Sequence, residues 1–210
     1  MEQLCRTYWY PLYAYTRRRG FNPHDAEDLV QGFFAKLTEK EMLARVQREG
    51  GRFRAFLLAC FNHFLGDQRD SARRLKRGGG REVVSLDAEL AEGRYALEPA
   101  EVVDPSKIFE RRWAFTVLET VLARLKSELE AEGKGPLFQN LQALVVGEPG
   151  AARQAEIGAR LGLSEGAVAV TVHRLRERYR GLLREEVAQT VQRVEEIDDE
   201  MAHLLAVVRG

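Results

Sequence analysis

The segment RQAEIGARLGLSEGAVAVTVHRLRERYRGLL (Arg153–Leu183) leaves its backbone few choices. Ile157 and Leu161 lie one helical turn apart, and Gly162 follows them where a sharp turn needs positive φ. Leu163 is positioned to plug the corner. Ser164 is positioned to cap a second helix by accepting from a backbone N–H ahead of it. Beyond the cap, Val168, Val172, Leu175 and Tyr179 recur at i, i+4, i+7 and i+11, a single buried stripe. Two helices meeting over a tight turn are therefore expected. The stripe takes two valines of AVAVTV inward and leaves Ala167, Val170 and Thr171 outward, with Ala169 at the side.

The rest of the chain has the same period. Apolar residues recur at three- and four-residue spacing over 4–18, 26–37, 53–65 and 108–129, while strand-like alternation is scarce. The fold class expected is all-α. Gly20, Pro23 and Gly50-Gly51 punctuate the first half as turns. The main break is RGGGREVVSLDAELAEGRYALEPAEVVDPSK (Arg77–Lys107), which is rich in Gly, Pro and acids and poor in periodicity. It reads as a flexible acidic linker, ended by Asp104-Pro105-Ser106 as the start of the next helix. Two small helical domains, 1–77 and 106–190, follow from this, joined by residues 78–105. An extension over 191–210 carries Val194, Ile197, Met201, Leu204 and Leu205 as an amphipathic helix.

Among 210 residues, 32 Lys and Arg balance 32 Asp and Glu, so any polyanion-binding surface requires segregated charge. The charges are segregated. Arg69, Arg73, Arg74, Lys76, Arg77 and Arg81 crowd one stretch, and acids gather at 25–28, 82–104 and 195–200. Cys5 and Cys60 are too few for a disulfide framework and read as reduced core thiols, which suits a cytoplasmic protein. The opening MEQLCRTYWY lacks a signal-peptide layout, and no apolar run reaches the roughly 20 residues of a membrane span. No membrane association and no cofactor are expected.

Three stretches point to function. The Gln154–Arg178 unit has the layout of a DNA-reading helix-turn-helix, and Arg174, Arg176, Arg178 and Arg180 suit phosphate contacts. The competing reading is an αα-hairpin that merely packs. Asp25, Glu27 and Asp28 fall in the first turn of a helix, where carboxylates complement its dipole. Capping alone explains such a cluster; a docking surface for a basic partner also fits, whereas metal catalysis lacks the remaining ligands. The stretch Gly51–Gly80 mixes Phe53, Phe56, Phe61, His63 and Phe64 with the basic run, a composition suited to single-stranded DNA. For Phe53, Phe56 and Phe64 a place in the core is the preferred expectation.

In combination these pieces resemble the extracytoplasmic-function group of the sigma-70 family of bacterial RNA polymerase sigma factors. DAEDLVQGFFAKL is similar to the family's region 2.2, FRAFLLACFNHFLGDQRDSARRLKR to regions 2.3 and 2.4, and RQAEIGARLGLSEGAVAVTVHRLRERYRGLL to region 4.2. The resemblance covers roughly residues 4–77 and 106–188, with three motifs in the family's order. It implies a non-enzymatic subunit that binds the clamp helices and flap of core polymerase and opens promoter DNA. Asp25, Glu27, Asp28 and Gln31 would then contact polymerase. Asn62, His63, Asp67, Arg69 and Arg73 would lie by the melted −10 strand, and Arg74, Lys76 and Arg77 by its phosphates. Ser164, Glu165, Ala167, Ala169, Val170, Thr171, His173, Arg174 and Arg178 would face −35 DNA. His63 departs from the Asn common at its position, and Ala169 from the usual Lys or Arg. The group is commonly restrained by an anti-sigma factor or another regulator. The alternative is a stand-alone helix-turn-helix regulator that binds duplex DNA without polymerase.

Overall fold

A computed structural model describes residues 2–37, 52–74, 86–97, 104–147 and 151–209. The described residues are helical almost throughout, with no strand among them. The helices are α1 (Glu2–Arg18), α2 (Pro23–Leu37), α3 (Phe53–Arg74), α4 (Leu86–Ala96), α5 (Pro105–Ala131), α6 (Gly135–Val145), α7 (Ala151–Leu161), α8 (Glu165–Ala188) and α9 (Ile197–Arg209). The short 3₁₀ turn Val194–Glu196 precedes α9. The chain divides into two compact units, Met1–Thr116 with Thr190–Gly210, and Val117–Gln189.

The N-terminal unit is built on aromatic packing. Phe33 meets Phe61 edge-on at 5.0 Å and Phe64 at 5.7 Å, joining α2 to α3, and Tyr15 of α1 meets Phe61 at 6.1 Å. Such pairs add about 1 kcal/mol each beyond area burial. Of the three phenylalanines expected inside, Phe64 is buried and Phe53 and Phe56 are half-buried, Phe53 lying edge-on to Tyr8. Cys5 and Cys60 are half-buried and are not joined in a disulfide.

Part of the expected linker is ordered helix. Helix α4 buries Ala91 and packs against α1 and α2. Its Glu92 accepts from Arg17 at both oxygens (2.7 and 2.8 Å) and from the Tyr13 hydroxyl at 2.8 Å. The Arg17 bonds hold the Glu92 carboxyl below the usual carboxylate range, and burial together with Glu92 raises the Tyr13 phenol. Arg94 lies over the Tyr10 ring at 4.4 Å. Low apolar periodicity hid this helix, because side-chain charge and rings dock it more than an apolar stripe does.

The C-terminal helix α9 is an integral layer of the same unit. The face it buries consists of Ile197, Glu200 and Leu204, with Met201 half-buried. Val194 and Leu205, expected on that face, are instead exposed. Glu200 has no exposed surface and Arg54 of α3 only 3%; the two form a buried ion pair. Arg52 Nε stands 3.1 Å from the second Glu200 oxygen, and Arg54 also lies over the Trp113 ring at 4.9 Å. Glu110 of α5 pairs with His203. A backbone bond from Phe53 N–H to Thr190 O (3.2 Å) adds to the attachment.

Removing one partner of a buried pair strands the other charge. Glu200→Ala is therefore expected to destabilise the N-terminal unit by about 3–5 kcal/mol in chemical denaturation. Arg54→Met combined with Glu200→Leu should recover most of the loss. Wild-type stability in the single variant would refute the pairing.

Candidate nucleic-acid interface

In the unit Val117–Gln189, α6, α7 and α8 pack on one another, with α5 supplying Val117, Val121, Leu125 and Leu129 to the core. The expected stripe is inward. Val168, Val172 and Leu175 are buried, while Tyr179 is half-buried and donates its hydroxyl to Leu118 O at 3.2 Å. Burial pushes that phenol up to about 12. Ile157 is buried and Leu161 half-buried on α7.

The turn forms largely as its chemistry predicts. Gly162 has φ of +67°, and Ser164 Oγ accepts from Ala167 N–H at 3.2 Å. Leu163, however, does not plug the corner, because its side chain is exposed. Backbone closes the corner in its place. Leu163 N–H donates to Gly158 O at 2.9 Å, and a Cβ at Gly158 would stand 2.8 Å from Leu163 O and 3.4 Å from Val168 Cγ2. Gly158 was not singled out from the sequence; its one local signal is a glycine within a helical pattern four residues before the turn glycine Gly162.

The outward face of α8 begins at the cap. Ser164, Glu165, Gly166, Ala169, Val170, His173 and Arg174 are exposed, Val170 at 51%. Ala167 and Thr171 are half-buried, and Thr171 Oγ1 donates back to Ala167 O at 2.7 Å. Ala169 thus lies as far outward as Val170, and Thr171 less so.

The arginines divide by role. Arg176 donates through Nε and Nη2 to Leu144 O (3.1 and 2.7 Å), satisfying a carbonyl left open at the end of α6. Arg178 makes a two-pronged bond to Glu128 (2.7 and 2.8 Å), with Glu185 3.7 Å away. That bond raises the Arg178 guanidinium and lowers the Glu128 carboxyl. Arg180 pairs with Glu177. Among the described residues Arg174 has no ion-pair partner, so of the four it can meet a phosphate without giving up an internal contact.

In the N-terminal unit, the acidic cluster on α2 splits. Asn22 caps the helix: its Oδ1 accepts from Asp25 N–H at 2.8 Å, and its Nδ2 donates to Asp25 Oδ2 at 2.9 Å. Glu27 is 6% exposed and accepts from Gln31 at 2.9 Å, so it faces inward. Asp28 is exposed beside His24 (3.1 Å), and Gln31 is exposed. On α3, Asn62, His63 and Asp67 are all exposed. The backbone of Arg69, Arg73 and Arg74 belongs to the same helix, while Lys76 and Arg77 lie outside the described residues. No group of three or more His, Cys, Asp or Glu able to hold a metal occurs among the described residues. None of the described helices is long and apolar enough to cross a membrane.

The close approach at Gly158 is testable. Gly158→Ala forces a methyl against a carbonyl oxygen and is expected to destabilise the Val117–Gln189 unit by about 1–3 kcal/mol. Loss of amide protection at Leu163 in hydrogen exchange would locate the effect, and unchanged protection would rule the contact out. No protein family, curated protein or solved structure matches this chain.

Proposed function

We propose that this chain is a promoter-specificity subunit of bacterial RNA polymerase, of the extracytoplasmic-function sigma type. The observation that carries the reading is the outward face of α8. It is a capped helix whose exposed start bears short side chains followed by one unpaired arginine, opposite a stripe on which Val168, Val172 and Leu175 are buried. Short groups let backbone approach the major groove and touch thymine methyls, while Arg174 neutralises a phosphate. A −35 element containing A·T pairs fits such a surface. Further support comes from α3, where Asn62, His63 and Asp67 are exposed on the helix that continues into Arg69, Arg73 and Arg74. Bases of a melted −10 strand would be held there. Asp25, Asp28 and Gln31 are the outward members of the α2 cluster for docking on core polymerase, with Glu27 turned inward. In this reading the chain makes and breaks no bond; captured bases supply the energy for strand opening. An anti-sigma factor or other regulator would act on these surfaces.

The purified chain added to core polymerase is expected to yield promoter-dependent transcripts. Asp28→Lys leaves the Asn22–Asp25 cap intact and should lower them about tenfold or more, since a like-charge juxtaposition costs several kcal/mol. Asp25→Lys with Asp28→Lys should abolish them, and normal transcription by that double variant would sink the docking surface. Tight binding of duplex DNA without polymerase would instead indicate a stand-alone regulator. Val170→Ala should relax base preference a few-fold and leave the salt dependence of binding nearly unchanged. An intact preference would mean that α8 reads with other residues.

A further inference from the structure

Where α1 ends beside α3, three side chains of the N-terminal unit close a hydrogen-bonded ring. Asn62 Oδ1 accepts from the Tyr15 hydroxyl at 2.6 Å and from Arg19 Nη1 at 2.6 Å. Arg19 Nη1 also donates to the Tyr15 oxygen at 3.2 Å. A guanidinium has donors only, so the Asn62 atom it touches has to be the carbonyl oxygen. The amide orientation follows from chemistry alone.

The ring is held from the inside. Tyr15 is 5% exposed, and its aromatic face packs edge-on against Phe61 in the core. Gly20, at φ of +88°, ends α1 just beyond Arg19, whose guanidinium lies over the Tyr15 ring at 5.5 Å. Asn62 itself is exposed. Its oxygen has two lone pairs, and Tyr15 and Arg19 occupy both. The Nδ2 group has no partner among the described residues. Towards solvent, Asn62 therefore offers two N–H donors and no acceptor.

We propose that Tyr15 and Arg19 are positioning residues that make Asn62 a donor-only reader of one unstacked base. This rests on the proposed function, because it takes the exposed end of α3 as a surface for a melted strand. Thymine, guanine and cytosine each present a carbonyl oxygen that accepts from Nδ2. Adenine presents only ring nitrogens as acceptors, and its two-point pair with asparagine needs the amide oxygen as an acceptor for the adenine amino group. With that oxygen occupied, adenine keeps at most one bond, through a ring nitrogen, and is disfavoured against bases that offer Nδ2 a carbonyl oxygen at the position facing Asn62. Freed from Tyr15 and Arg19, the same side chain would turn and accept it.

The test uses the full chain with core polymerase on a promoter library randomised across the melted segment, with transcripts sequenced. The wild type is expected to deplete adenine about tenfold at one position, in line with one lost two-point contact. Tyr15→Phe with Arg19→Ala should bring that depletion to within about twofold while other positions keep their profile. Arg19→Lys, which retains a donor, should preserve it. Asn62→Asp should shift the preference towards adenine, cytosine and guanine, whose amino groups donate, and away from thymine. A purely structural role would lower all transcripts uniformly; a lowered or intact yield with an unchanged base profile overturns the proposal. If the wild type starts transcripts from no library member, the proposed function fails and this inference fails with it.

Discussion

Helices of eleven residues, such as α4, α6 and α7, are marginal in water by themselves. Each persists here because a neighbour covers its inward face, so coverage is the constraint on which every other feature depends. In the Val117–Gln189 unit the cover is apolar: Val168, Val172 and Leu175 of α8 are buried with Ile157 of α7 and Phe138, Leu141 and Leu144 of α6. Hydrophobic area supplies the stability, and a polar group closes a helix end that leaves a carbonyl open. Arg176 on Leu144 O is such a case.

The N-terminal unit meets the same constraint with charge and aromatic rings. Glu200 places a carboxylate on the buried stripe of α9, where Arg54 neutralises it, and Glu92 anchors α4 through Arg17 and Tyr13. A buried ion pair is a weak source of net stability, since desolvation offsets most of its attraction. It is a strong source of register, because shifting α9 by one residue would carry Glu200 away from both Arg54 and Arg52. The C-terminal segment is thus specified as part of its unit by a polar interaction that apolar patterning overlooks.

Ion pairing also narrows the surfaces offered to a partner. Four arginines on α8 form a uniform basic face when read as a string, yet Arg176 and Arg178 are committed to Leu144 O and Glu128, and Arg180 to Glu177. On α2, Glu27 is similarly drawn inward. A charged residue is most readily available to DNA or to another protein where no internal partner satisfies it, as for Arg174. Asn62 is an intermediate case, with one end held and the other presented.

Local chemistry was legible in the chain itself. The period of 3.6, the positive φ at Gly162, the Ser164 cap and the inward valines of AVAVTV all rest on interactions within a few residues. What depends on partners distant in sequence was not legible. The helix within the acidic stretch, the burial of Glu200, the exposure of Leu163 and Val194 and the close approach at Gly158 all fall in this class. Periodicity marks which residues are apolar, whereas a buried charge or a backbone contact exists only once the facing element is in place. The sequence determined the helices and the turn. Tertiary structure decided which charges were consumed inside and which were left to act, because pairing is a property of space and not of spacing.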